Sequence, residues 1–134
     1  VRIKALERYM EEERKDFDIE KDKLSSALAK LPNLHSKWMR YAFGEHEKLI
    51  GLEHKARKLF REKHRYYKTE YDVQVKDNQL VWYIESDPEY SELLLKINVQ
   101  KKIIEYLDAI VRKVRDQNYV IRNIIEWEQY KMGI

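Results

Sequence analysis

Cysteine is absent from this 134-residue chain, which excludes disulfides, cysteine-based zinc sites and thiol nucleophiles. Glycine occurs three times and proline twice. That is too little turn chemistry for an all-β sandwich, but it suits long helices. No apolar run approaches the roughly 18 residues that a membrane span needs, and Val1-Arg2-Ile3-Lys4 lacks the apolar core of a signal peptide. Val1 in place of an initiator Met suggests a trimmed start, and the chain reads as a soluble intracellular protein. No glycine-rich phosphate-cradling loop is present, so no nucleotide and no other cofactor is expected.

Charged residues make up 38% of the chain and hydrophobic ones 43%. Leucine, isoleucine, valine and aromatics are plentiful enough to exclude disorder. The length predicts a single domain, 1–134. Net charge is +3, but its distribution is uneven. Residues 54–68 carry seven bases and one acid, and residues 69–92 carry one base and seven acids.

Apolar spacing predicts an all-α protein. N-terminal helices occupy 1–31. The first runs from Val1 to about Asp16 with Ile3, Leu6, Tyr9 and Met10 on one face, and the second is capped by Asp22. Pro32 predicts a boundary or kink near Lys30–Asn33. A long basic helix is expected within 32–68, its stripe formed by Trp38, Tyr41, Ala42, Leu49, Leu52, Ala56, Leu59, Lys63 and Tyr66. Some 34 residues of helix from Leu34 span roughly 50 Å, wider than a compact globule of this size, which hints at assembly.

Residues 69–86 interrupt the pattern as a small irregular or β-like insert. A hairpin through Val73 and Val75 and a loop with an apolar docking segment at Leu80–Ile84 both fit. Asp87-Pro88 combines a capping side chain with proline at the first helical position, and so starts the C-terminal helices of 87–131. Their seam passes through Leu93, Ile97, Gln100, Ile104, Leu107, Val111, Val114, Asn118, Ile121 and Ile125, with a break or kink expected at Asp116-Gln117-Asn118. Leu94, Ile103, Tyr106, Ile110, Ile124 and Trp127 widen that seam beyond what one partner helix covers. Leu107, Val111, Val114, Ile121, Ile124 and Ile125 are the expected oligomerisation residues.

The chemistry concentrates between His54 and Lys68. On a helix Lys58, Arg61, Arg65 and Lys68 share a face that Lys55 extends, with Arg57 and Lys63 nearby. Such a row follows a phosphate backbone and displaces its counterions. His64, Tyr66 and Tyr67 add stacking surfaces, which favours single strands over duplex. The plain alternative is a solvated face with the tyrosines in the core, and a membrane-surface helix is a third reading. No histidine has the spacing of a metal motif. Glu89-x-x-Glu92 and Glu105-x-x-Asp108 match the magnesium motif of all-α nucleotide pyrophosphohydrolases. With no breaker between them, Glu92 and Glu105 would stand roughly 20 Å apart on one helix, too far to share a metal.

Three stretches carry a resemblance. Lys23-Leu24 through Leu34-His35-Ser36-Lys37-Trp38 resembles a pattern containing Leu-Tyr-Ser-Lys-Trp. Arg61-Glu62-Lys63-His64-Arg65-Tyr66-Tyr67 aligns with Lys-Ala-Arg-Leu-Asp-Tyr-Tyr at the same distance after the tryptophan. Leu107-Asp108-Ala109-Ile110 is followed by Tyr119-Val120-Ile121-Arg122-Asn123-Ile124, similar to Phe-Ala-Ile-Lys-His-Ile. Together they resemble the UvsY-type recombination mediators of T4-like phages over most of the chain, residues 68–86 excepted. The resemblance implies a non-enzymatic factor of the infected host's cytoplasm, forming a ring of six or seven subunits through its C-terminal helix. It implies binding to single-stranded DNA, contacts with a phage recombinase and a phage single-strand-binding protein, and help in exchanging the second for the first. The family's basic pair falls on Arg61 and Lys63, while Glu62 stands where the family has alanine. The rival reading is a structural coiled-coil oligomer that does not bind DNA.

Overall fold

A computed structural model of the chain describes residues 3–133. Four α-helices account for most of it: α1 (Lys4–Asp16), α2 (Leu24–Arg65), α3 (Leu80–Ser86) and α4 (Pro88–Lys131). A 3-10 turn at Lys21–Lys23 leads into α2, a π-helical turn at Tyr66–Glu70 follows it, and another 3-10 turn at Asp77–Gln79 leads into α3. No strand occurs among the described residues, so the fold is all-α and the hairpin expected at Val73 and Val75 does not form. The apolar docking segment is what the insert contains: Val75, Leu80 and Ile84 are buried together with Tyr67.

Two expected helix boundaries are absent. Pro32 lies inside α2, and Asp116-Gln117-Asn118 lies inside α4. Proline withholds an amide bond from a helix and crowds the carbonyl four residues before it; here the buried Leu31 and Trp38 on either side of it hold the helix together. Val114 and Ile121, both sealed, likewise carry α4 through its polar triplet. Asp22 sits within the 3-10 turn rather than at a free helix start. The expected helix start at Val1 lies outside the described residues, within which α1 begins at Lys4. No helix is long and apolar enough to cross a membrane among the described residues.

The chain divides into two compact units, Glu45–Lys102 and the remainder. In the remainder, Tyr9, Leu31, Trp38, Leu107, Ile110, Val114 and Ile121 form the buried core. Trp38 is fully enclosed, its ring edge-on to Tyr41 at 5.4 Å and its indole N–H donating to Asp16 Oδ2 at 3.1 Å. Lys37 donates to the same oxygen at 2.8 Å, so one carboxylate satisfies two donors where α1 ends. Glu13 accepts from Tyr106 and Lys113 of α4, each at 2.7 Å.

In Glu45–Lys102, Ala56 and Ile97 are buried, and Phe60, Tyr83 and Tyr90 close over Tyr67, Val75, Leu80 and Ile84. Gln100, the polar interruption of the α4 seam, donates through Nε2 to Glu45 Oε2 at 2.6 Å and to the Glu45 carbonyl at 2.8 Å. The Glu45 side chain is almost completely enclosed.

Candidate nucleic-acid interface

The basic face is built by the last three turns of α2. At 3.6 residues per turn, Arg57, Lys58, Arg61 and Arg65 fall within an arc of about 100°. All four are exposed, as are Lys55 to one side and Lys68 in the π-helical turn beyond. None of these six cations forms an ion pair with another described residue. Arg61 and Arg65 are one turn apart, roughly 6 Å along the axis. Apart from Glu62 at its edge, the track is uninterrupted positive charge, and it is open to a polyanion.

The other expected site residues are placed differently. Lys63 points away from the track; its Nζ lies 3.3 Å from Asp87 Oδ2 and 3.0 Å from Glu89 Oε2. These carboxylates raise the Lys63 pKa, the bond to Glu89 contributing most. Tyr67 is only 8% exposed, and its hydroxyl donates to Asp87 Oδ2 at 2.6 Å. That bond and burial push its pKa up to about 12. His64 is half-buried with its ring beside Phe60. Of the three expected stacking residues only Tyr66, 40% exposed, faces solvent at the end of the track.

Asp87 thus organises the site from below. Its Oδ1 accepts the backbone N–H groups of Glu89 at 3.0 Å and Tyr90 at 3.2 Å, capping α4 as the sequence suggests. Its Oδ2 holds Tyr67 and Lys63, at the end of α2. Burial pushes the carboxyl pKa up, but Tyr67, the Tyr90 amide and Lys63 together hold it below its usual value. Sequence reading missed this role, because the cap was legible locally whereas Lys63 of α2 and Tyr67 of the π-helical turn are brought to it only by folding.

The expected oligomerisation residues divide. Leu107, Val114 and Ile121 are sealed in the chain's own core, while Val111, Ile124 and Ile125 are half-buried. The apolar side chains left exposed late in α4 are Tyr119, Val120, Trp127 and Tyr130. The two acidic pairs, Glu89/Glu92 and Glu105/Asp108, lie on the single uninterrupted α4. No cluster of metal-binding side chains occurs among the described residues.

A family model described as "Recombination, repair and ssDNA binding protein UvsY" matches residues 12–134. The chain belongs to the UvsY family. Crystal structures of the bacteriophage T4 recombination mediator protein UvsY share the fold. The lattice type IV structure superposes with a TM-score of 0.86 at 17% identity, covering 94% of this chain and 98% of that one. The lattice type II structure gives 0.87 at 16% identity, covering 96% and 98%. No curated protein sequence matches the chain significantly. Membership of the UvsY family makes this a recombination, repair and single-stranded-DNA-binding type of protein, and the family match runs through residues 68–86 as well.

Proposed function

We propose that this protein is a recombination mediator that binds single-stranded DNA along the α2 track and helps load a strand-exchange recombinase onto DNA covered by single-strand-binding protein. The observation that carries the reading is the row of exposed, unpaired cations Lys55, Arg57, Lys58, Arg61, Arg65 and Lys68, ending at the exposed ring of Tyr66. The cations hold phosphates and Tyr66 stacks a base. Lys63 and Tyr67 act beneath, holding the end of α2 on Asp87.

Copies of the chain assemble as a ring through the exposed apolar side chains late in α4. Repeating the track around a ring raises avidity through effective concentration. A strand led across several tracks is bent away from the path that its covering protein requires, which favours exchange for the recombinase. The protein acts without a catalytic centre and without a cofactor, in the cytoplasm of the phage-infected host.

The test is a salt titration of single-stranded DNA binding. Six phosphate contacts give a slope of about −4 in log affinity against log salt, from about 0.7 per contact. Arg61→Ala with Arg65→Ala lowers the slope by about 1.4 and weakens binding at least tenfold. Unchanged slope and affinity in that variant reject the track, and failure of the wild-type protein to bind rejects the DNA reading.

A further inference from the structure

Beyond the basic track the surface reverses sign. Glu70, Asp72, Asp77 and Glu85 are all exposed, and none forms an ion pair with another described residue. Within this acidic field stand large apolar side chains facing solvent: Trp82 at 65% exposure, with Val81, Val73 and Tyr71.

The outward face of α3 explains their grouping. Leu80 and Ile84 point inward and are buried. At 100° per residue, Val81, Glu85 and Trp82 then fall together on the opposite side, with the carboxylate between the two apolar groups. Trp82 meets Tyr83 edge-on at 5.2 Å, and Tyr83 meets Tyr71 at 5.9 Å. Tyr71 in turn lies 5.9 Å from Tyr66, the last ring of the track. The patch therefore abuts the nucleic-acid track, but its charge is wrong for phosphates: a strand continuing past Tyr66 meets unneutralised carboxylates.

We propose that the outward face of α3, with Trp82 as anchor and Glu85, Asp72 and Glu70 around it, is a docking site for a basic segment of a partner protein, one carrying lysine or arginine beside an apolar side chain. Charge complementarity selects this occupant over nucleic acid. An exposed tryptophan within a charged surround has the composition of an interface hot spot, and the carboxylates speed encounter with a basic partner. Because the patch adjoins the end of the track, a partner docked there sits beside the strand the track delivers. In this respect the proposal rests on the mediator reading above.

The experiment uses the full chain and, as separate probes without DNA, the strand-exchange recombinase and the single-strand-binding protein. Trp82→Ala and Glu85→Lys, both at exposed positions, are compared with wild type, with circular dichroism confirming the fold. The expected result is at least a tenfold loss of affinity for one probe in both variants. Single-stranded DNA affinity of Trp82→Ala stays within twofold of wild type, and its mass is unchanged by light scattering. Equal affinity of wild type and variants for both probes overturns the proposal, as does failure of the wild type to bind either. A fall in DNA affinity for Trp82→Ala overturns it in favour of base stacking, and a fall in mass in favour of a second copy. Loss of wild-type DNA binding instead defeats the track and leaves the probe measurements to judge the patch separately.

Discussion

The Asp87 carboxylate has four partners: two backbone amides of α4, the Tyr67 hydroxyl and the Lys63 ammonium. Removing it uncaps a helix, leaves the enclosed Tyr67 hydroxyl without its acceptor and strips Lys63 of one of its two carboxylates. Asp87→Ala is expected to cost about 2–4 kcal/mol, combining a lost cap with unsatisfied donors, measurable by urea unfolding. The pH dependence has a definite sign. The Asp87 and Glu13 carboxyls are both held below their ordinary values of 3.8 and 4.5. Their stabilisation is therefore complete above about pH 4.5 and is lost as pH falls through the lowered folded values. Unfolding midpoints at pH 7 and pH 3 should differ more for wild type than for Asp87→Asn. On the DNA side, Glu62 is exposed beside Lys58 and Arg65, where it repels phosphate. Glu62→Ala should tighten single-stranded DNA binding by about two- to fivefold at low salt, read by fluorescence anisotropy. Tyr67→Phe should affect stability far more than DNA affinity, because its ring is buried.

At the scale of elements, α2 tolerates three poor helix formers: Pro32, Gly44 and Gly51. A Cβ added at either glycine meets nothing within 4 Å. Gly44→Ala and Gly51→Ala should each raise stability by about 0.5–1 kcal/mol, checked by thermal unfolding. What was legible in the sequence follows from how local each signal is. Asp87-Pro88 announced the start of α4 because a cap and a first-turn proline act within one turn. The basic face was legible because its residues are spaced within one helix. Pro32 and the Asp116–Asn118 triplet misled because burial of Trp38, Val114 and Ile121 outweighs a local preference. The two valines at 73 and 75 imitate a strand too short to be decisive; Val75 instead fills a cluster with Tyr67 and Ile84. That Lys63 and Tyr67 meet Asp87 was not legible, because this acceptor lies beyond the insert and only folding brings it to the end of α2.

At the scale of the whole molecule, the core and the proposed assembly surface are different residues of the same helix. Ile121 is almost completely enclosed, whereas Trp127 and Tyr130 are 56% and 76% exposed and stack on one another at 5.7 Å. Substituting each group separates folding from assembly. Ile121→Asp should abolish cooperative unfolding, since it buries a charge in a packed core. Trp127→Glu with Tyr130→Ser should leave helical content intact while reducing the mass by light scattering to that of one chain. An unchanged mass in the second variant removes the end of α4 from the assembly surface.

The Glu45–Gln100 pair has a consequence for how the track is presented. Leucine and isoleucine can mesh in several ways, and rods lined only by them can slip. A carboxylate sunk among them acts as a key with one slot. Sliding by a turn would part it from Gln100, which would lose both its acceptors. That single permitted mesh sets how far along its neighbour the Arg57–Arg65 row lies, so the reach of each cation toward a bound strand is decided near the opposite end of the same unit.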